Sequence, residues 1–112
     1  MGVFDAFQIP YSALEREHET LISEAAAAGA GTVIRGGTAK GASSVPDVLS
    51  DLLDGASPTE FVLRFTLSHP DLHTTIVGTS NPDHLAANLQ AARKGPLPPD
   101  VYAEAKRRLS SA

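Results

Sequence analysis

The stretch TTIVGTSNPDHLAANLQAA, residues 74–92, decides the fold class. β-Branched residues dominate positions 74–77 and predict a short strand. Asn81 followed by Pro82 marks a helix start, because Asn caps the first turn and Pro fits its first position. Leu85, Leu89 and Ala92 then recur at helical spacing on one face. A strand joined by a short loop to a helix is the repeating unit of a parallel α/β sheet.

Two further units of this kind precede residue 74. Residues 3–9 and 32–35 predict strands that are apolar on both faces, as in a parallel sheet covered by helices. Ser12 and Glu15 have the spacing of a capping box and predict a helix from Ser12, which Gly29 would end. Its predicted apolar face consists of Leu14, Leu21, Ile22, Ala25 and Ala28.

The segment SPTE at residues 57–60 is the strongest helix start in the chain, with a Ser cap, Pro at the first position and Glu at the third. The helix should continue to about residue 68, before Pro70. Residues 36–44 are rich in Gly, Ser and Ala and predict a loop, and residues 46–54 predict a short helix. The short helix would bury Val48, Leu49, Leu52 and Leu53. A last helix would present Val101, Ala105 and Leu109 on one face.

A three-stranded parallel sheet with helices on one side leaves its second face and both edges open. Val33 and Ile76 lie in strands that nevertheless look buried on both faces. We therefore expect that the other strands of the sheet are missing from this chain. The alternative is that the chain pairs with another copy of itself.

Composition excludes several classes of protein. The 112 residues carry a net charge of −4 with no basic run, which argues against a nucleic-acid partner. There is no Cys, so disulfides and thiolate metal sites are excluded. The lack of Cys also fits a reducing cytoplasm, and we expect a cytoplasmic protein. No apolar stretch has the length of a membrane helix. His18, His69 and His73 lack metal-ligand spacing, and we interpret them as solvated surface residues.

Four segments of the sequence together resemble the aldo/keto reductase family. FDAFQIPYSALERE at residues 4–17, TVIRGGTAKG at residues 32–41 and TTIVGTSNPDHLAANLQAA at residues 74–92 resemble the family's sixth, seventh and eighth strands with the segments that follow them. SPTEFVLRFTLSHPDL, from residue 57, is similar to its seventh helix. The resemblance implies a partial (β/α)₈ TIM barrel, with residues 1–112 as the C-terminal portion: about three βα units plus a C-terminal helix.

The resemblance also implies an activity for the whole enzyme. Family members transfer hydride from NAD(P)H to an aldehyde or ketone, and catalytic Asp, Tyr, Lys and His come from the first half of the barrel. This chain contains none of those four, and neither Tyr11 nor Tyr102 matches the catalytic position. The isolated chain should therefore be inactive.

The resemblance implies that the first two predicted strands supply contacts to the cofactor. Gln8 matches the family Gln that holds the nicotinamide carboxamide, the alternative being a buried Gln satisfied by neighbouring backbone. Arg35 stands where some members stack an aromatic residue on the nicotinamide, and its guanidinium could stack or contact phosphate. The alternative is a rim Arg paired with a carboxylate. Gly36 and Gly37 would allow the backbone to approach the pyrophosphate.

The third loop would hold the rest of the dinucleotide. Helix starts attract anions, so Gly78, Thr79, Ser80 and Asn81 are predicted cofactor contacts. The alternative for this loop is simple capping, which Asn81 should perform in either case and which is compatible with phosphate binding. His84 occupies the position of a family Arg that holds the 2′-phosphate, and Asn88 matches an adenine contact or is an exposed helix residue. Neutral His84 and nearby Asp83 favour NADPH less than an Arg would. We nevertheless expect NADP(H) rather than NAD(H).

Two functional hypotheses follow. The first is the cofactor-binding end of a carbonyl reductase, whose partners are a nicotinamide dinucleotide and, in the full-length context, a small carbonyl substrate. The second is a non-catalytic half-barrel that binds dinucleotide weakly or self-associates through its open strand edges.

Overall fold

A computed structural model describes residues 5–36, 46–77 and 81–111, and within them the fold is α/β. The sheet has three strands: β1 (Ala6–Pro10), β2 (Gly31–Arg35) and β3 (Thr74–Thr75). All pairings are parallel and the order is β1-β2-β3. The predicted fold class is therefore confirmed, with successive parallel strands joined by helical crossovers.

In the described part of the chain, four α-helices and one 3₁₀ helix accompany the sheet. The α-helices are α1 (Glu19–Ala27), α2 (Pro58–Leu67), α3 (Pro82–Lys94) and α4 (Pro99–Ser111), and the 3₁₀ helix spans Asp47–Leu53. Both predicted Pro-containing helix starts are confirmed. The Ser57 hydroxyl accepts the Glu60 N–H at 3.1 Å, and the Asn81 side-chain oxygen accepts the Asp83 N–H at 2.9 Å.

The predicted start of the first helix at Ser12 is wrong, because α1 begins at Glu19. Ser12 and Glu15 instead close a tight turn in which each backbone N–H donates to the other's carbonyl, at 3.0 and 3.2 Å. The Ser12 hydroxyl accepts the Leu14 N–H, so no capping box forms. The turn satisfies locally the N–H groups that a capping box would have satisfied, and it leaves Leu14 half exposed rather than on a buried helical face.

Several smaller boundaries also differ from the predictions. Residues 3 and 4 of the first predicted strand, and nearly all of the Gly-rich loop, lie outside the described residues. β3 is shorter than predicted, although the Ile76 N–H still donates to the Ile34 carbonyl at 2.8 Å. The predicted burial of Val48 is wrong, because only Leu49 of the 3₁₀ helix is fully buried.

The hydrophobic core lies on one face of the sheet. Ile9 and Ile34 point from β1 and β2 into a layer formed by α1, α2, α4 and the 3₁₀ helix. The residues of this layer that are buried with them are Tyr11, Ala13, Ile22, Leu49, Phe61, Phe65, Leu97 and Ala105. None of the described helices is long and apolar enough to cross a membrane.

The opposite face of the sheet is open. Gln8 and Arg35 are exposed there, because strand residues alternate between the two faces. Ile76, which follows β3, is also half exposed. In a complete (β/α)₈ barrel this inner face is packed by layers of side chains from all the strands.

Candidate functional site

The predicted cofactor residues Gln8 and Arg35 lie on the same open face of the sheet. Gln8 pairs with Val33 in register and Pro10 pairs with Arg35, so the two side chains project from neighbouring strands two residues apart. Strand geometry places their Cα atoms about 8 Å apart. Arg35 is the last residue of β2, and Gln8 lies two residues before the end of β1. Both are thus near the C-terminal strand ends, where (β/α) barrels hold their active sites.

Within the described residues, neither side chain has the alternative role that the sequence left open for it. Gln8 is exposed, so it is not a buried Gln satisfied by neighbouring backbone. Among the described residues, no carboxylate forms an ion pair with Arg35. The face therefore presents a primary amide and a planar cation, which suit a carboxamide and a phosphate or aromatic ring respectively.

Gly36 turns the chain directly after Arg35. Its φ of +71° lies in the left-handed region, which glycine adopts without the penalty that a side chain incurs. A Cβ built on Gly36 would meet no atom within 4 Å, so backbone conformation rather than space favours glycine here. Gly37, the next predicted contact, lies outside the described residues.

The start of α3 has its described donors already in use. The Asn81 side-chain oxygen accepts the N–H groups of Asp83 and His84, at 2.9 and 3.4 Å. The Leu85 N–H donates to the Asn81 carbonyl, and Pro82 has no N–H. A phosphate bound at this helix start would therefore rely on residues 78–80 or displace the Asn81 side chain. The predicted contacts Gly78, Thr79 and Ser80 lie outside the described residues.

His84 and Asn88 are one helical turn apart on α3 and share a face. His84 is exposed and Asn88 is half-buried. Leu85 and Leu89 lie beside them and are 49% and 53% exposed. This side of α3 therefore combines two polar residues with an uncovered apolar stripe.

A buried polar network that the sequence analysis did not predict lies on the other side of the sheet. The Tyr11 hydroxyl is 2.6 Å from Glu19 Oε2 and 2.8 Å from the Tyr102 hydroxyl. Lys106 Nζ lies 2.9 Å from Glu19 Oε1. Burial, followed by the hydrogen bond with Glu19, raises the pKa of Tyr11 far above its ordinary value. Burial also raises the pKa of Tyr102.

These properties bear on catalysis. Tyr11 is fully buried in the helical layer, and Tyr102 is half-buried beside it. A catalytic proton donor needs access to the substrate and a pKa near the working pH. Neither phenol meets these requirements.

The interpretation of His69 as a solvated residue is wrong, because it is only 4% exposed. Its Nε2 lies 3.0 Å from the Glu19 carbonyl, and its Nδ1 accepts the Asp71 N–H at 3.1 Å. A carbonyl can only accept, so these partners assign the proton to Nε2. The ring edge also contacts Tyr11, with centroids 5.3 Å apart. Non-local packing buries this residue, and local sequence gives no signal of it.

Metal chemistry finds no support in the described part of the chain, where no group of three His, Cys, Asp or Glu residues could hold an ion. A cleft of about 440 Å³ opens among the 3₁₀ helix, α2 and the start of α4. Its polar lining includes Glu60, Arg64 and Lys94, and it contains none of the predicted cofactor residues.

Comparisons with known proteins agree with this architecture. The sequence model described as "Aldo/keto reductase family" matches residues 48–109. The aldo-keto reductase AKR11C1 from Bacillus halodurans, in holo and apo forms, is structurally similar with a TM-score of 0.77 at 24% identity. The thermostable aldo-keto reductase Tm1743, solved with the inhibitor epalrestat, has a TM-score of 0.72 at 19% identity. No curated protein sequence matches the chain.

The extent of these matches is asymmetric. The alignments cover 96% of this chain but only 43%, 44% and 39% of the three solved chains. The chain therefore spans less than half the length of the reductases whose fold it shares.

Proposed function

Since the chain belongs to the aldo/keto reductase family, we propose that residues 1–112 are the C-terminal portion of an NADP(H)-dependent carbonyl reductase barrel. In this proposal the chain supplies cofactor contacts and no catalytic residue. The reduced nicotinamide, when bound, supplies the hydride that reduces an aldehyde or ketone.

The observation that supports the proposal best is the pairing of Gln8 and Arg35 on the open face. An amide that can both donate and accept suits a carboxamide, and a guanidinium without a carboxylate partner in the described residues suits a phosphate or a stacked ring. Gln8 and Arg35 would hold the dinucleotide near the C-terminal ends of β1 and β2, where (β/α) barrels have their active sites.

The placement of Tyr11 and Tyr102 supports the inactivity that we propose for the isolated chain. Tyr11 is fully buried and Tyr102 is half-buried in the helical layer on the other side of the sheet, so neither hydroxyl lies on the open face. We expect the purified chain, given NADPH and an aromatic aldehyde, to consume no NADPH above the buffer rate. Steady turnover would contradict the proposed division of roles.

A binding titration tests the cofactor contacts themselves. Gln8→Leu removes the amide at nearly constant size, and we expect it to weaken NADPH binding by about twofold to tenfold, the range for one hydrogen bond. Gln90→Leu makes the same change on an exposed position of α3 and should leave the Kd unchanged. Equal effects of both substitutions would contradict the assignment of Gln8.

The choice of dinucleotide is tested in the same titration. We expect NADPH to bind more tightly than NADH, as the family resemblance implies. Asp83 stands in the first turn of α3 and opposes a 2′-phosphate there, so any preference should be small. Equal or tighter binding of NADH would contradict the NADPH assignment.

The proposal also predicts that these residues belong to a longer polypeptide in the cell. A full (β/α)₈ chain has about 250 residues or more, compared with 11.7 kDa for this chain. Intact-mass measurement of the immunoprecipitated native protein should therefore give more than twice that mass. A product of 11.7 kDa would contradict the assignment of the chain as one portion of a barrel.

The uncovered apolar residues favour a second candidate, a self-associating half-barrel without catalysis. Leu85, Leu89 and Ile76 are each about half exposed, and β1 and β3 are both edge strands. Another copy could cover them. Light scattering after gel filtration distinguishes the candidates, because a discrete dimer or larger oligomer supports self-association and a monomer contradicts it.

A further inference from the structure

The polar network around Tyr11 connects the C-terminal helix to the strand ends that carry the proposed cofactor contacts. An ionised carboxylate can only accept hydrogen bonds, so the Tyr11 hydroxyl must donate to Glu19 at 2.6 Å. A phenol has one proton, and the 2.8 Å contact with Tyr102 must therefore be donated by Tyr102. The hydroxyls of α4 and of the β1–α1 loop thus form one directed relay that ends on Glu19.

Glu19 is held at the end of this relay by cations. Lys106, one turn after Tyr102 on α4, lies 2.9 Å from Glu19 Oε1 and 4.9 Å from the centre of the Tyr102 ring. Arg16 Nε lies 3.5 Å from Glu19 Oε2, at ion-pair distance but without a hydrogen bond. Burial alone would raise the pKa of Glu19, but the hydrogen bonds and charges of Tyr11, Lys106 and Arg16 lower it.

A second connection ties the same loop to α4. The guanidinium of Arg16 donates to the Lys106 carbonyl and to the Ser110 hydroxyl, both at 3.2 Å. The loop after β1 is therefore attached to α4 by polar contacts along about two helical turns.

Tyr11 also reaches the cofactor side through its backbone. Its N–H donates to the Arg35 carbonyl at 3.2 Å, which joins the ends of β1 and β2. Gln8 lies three residues earlier on β1, and Arg35 pairs with Pro10. The position of the Tyr11 side chain thus bears directly on the backbone that carries both proposed contacts.

We propose that Tyr102 is a positioning residue for the dinucleotide, since its hydroxyl fixes Tyr11 and Tyr11 in turn fixes the Arg35 carbonyl. This inference rests on the proposed function for its ligand, but its structural link can be measured without any ligand. It assigns to α4 a role at the cofactor face although α4 packs on the opposite side of the sheet.

The test uses the 112-residue chain and two readouts. Tyr102→Phe removes one oxygen and keeps the ring that contacts Phe65. In nuclear magnetic resonance spectra, we expect the Tyr11 amide proton to shift upfield and to exchange faster, because its hydrogen bond to Arg35 lengthens. We also expect the Kd for NADPH to rise by about twofold to tenfold, the range for one hydrogen bond.

Val101→Ala is the matched control. Val101 lies next to Tyr102 on α4 and is half-buried, but it takes no part in the relay. It weakens the packing of α4, so it reports what a purely structural loss does. We expect it to leave the Tyr11 amide shift and the NADPH affinity unchanged. Lys106→Met, which removes the cation beside Glu19, should act in the same direction as Tyr102→Phe and serves if that variant does not fold.

The outcomes separate this inference from the proposed function. An unchanged chemical shift and exchange rate of the Tyr11 amide in Tyr102→Phe overturn the inference. A changed Tyr11 amide with an unchanged Kd for NADPH also overturns it, as does an equal effect of Val101→Ala on both readouts. A wild-type chain that binds no dinucleotide contradicts the proposed function, and with it the cofactor role given to Tyr102.

Discussion

Substitution of His69 should destabilise the chain far more than its polar character suggests. His69→Ala removes two hydrogen bonds, one to the Glu19 carbonyl and one from the Asp71 N–H. Each contributes about 0.5–1.5 kcal/mol net. The edge contact with Tyr11 adds about 0.5–1.5 kcal/mol. The expected loss is therefore about 1.5–4.5 kcal/mol in the free energy of unfolding.

Two further variants separate the contributions of the two ring nitrogens of His69 to the free energy of unfolding. The side-chain nitrogen of Gln can take the place of Nε2 and donate to the Glu19 carbonyl, whereas the side-chain oxygen of Asn can accept the Asp71 N–H in place of Nδ1. We expect His69→Gln and His69→Asn each to recover about 1 kcal/mol relative to His69→Ala.

Urea denaturation followed by far-ultraviolet circular dichroism measures these differences, provided that the slopes with urea remain equal. A loss below about 0.5 kcal/mol for His69→Ala is typical of a surface substitution and would refute the buried network. A result in which neither isostere recovers stability would refute the assignment of partners to the two nitrogens.

Three other predictions concern the loss of stability at low pH, the exposed leucines of α3 and the backbone conformation of Gly36. Because the folded-state pKa of Glu19 is lowered below the ordinary value of 4.5, its stabilisation is present above that pH and is lost as pH falls through the folded pKa. The stability difference between wild type and Glu19→Gln should therefore narrow below about pH 4.5 in urea titrations, and a constant difference would contradict this. Leu85→Lys and Leu89→Lys should change the free energy of unfolding by less than about 0.5 kcal/mol, whereas Leu49→Ala should cost about 2–5 kcal/mol, and similar losses would contradict the burial assigned to them. Gly36→Ala should destabilise by about 1–2 kcal/mol at its φ of +71°, and an unchanged midpoint of denaturation would show that this backbone geometry is not required.

The order of elements was predictable from local chemistry. Ser57 and Asn81 each precede a Pro, and their side chains satisfy N–H groups within three residues. Such signals need no distant partner, and both helix starts agree with the structure. The parallel arrangement also followed from strands that are apolar on both faces.

The segment after β1 was not predictable in the same way. The spacing of Ser12 and Glu15 fits both a capping box and the tight turn that forms, and the turn directly follows Tyr11. The Tyr11 side chain is buried by residues of α2 and α4, and its hydroxyl forms a hydrogen bond with Tyr102, which lies 91 positions later in the sequence. The burial of His69 has the same origin. Interactions between distant segments decide these features, and local periodicity does not contain them.

The candidate site was also predictable from the sequence only in part. Positions at strand ends follow from the order of elements, so Gln8 and Arg35 could be placed on one face. The cap by Asn81 was predictable, and it uses the N–H groups of Asp83 and His84 that a phosphate at this helix start would otherwise bind. The hydrogen bond between Tyr102 of α4 and Tyr11, which directly follows β1, was not predictable from the sequence pattern.

If the open face of the sheet binds a nicotinamide dinucleotide, nuclear magnetic resonance shifts of amides and side chains should locate NADPH on that face. We expect titration of the 112-residue chain to move the signals of the Gln8 side-chain amide, Arg35 and Gly36 together, with one common Kd. Shifts confined to the cleft around Glu60, Arg64 and Lys94, or no shifts at saturating NADPH, would contradict it.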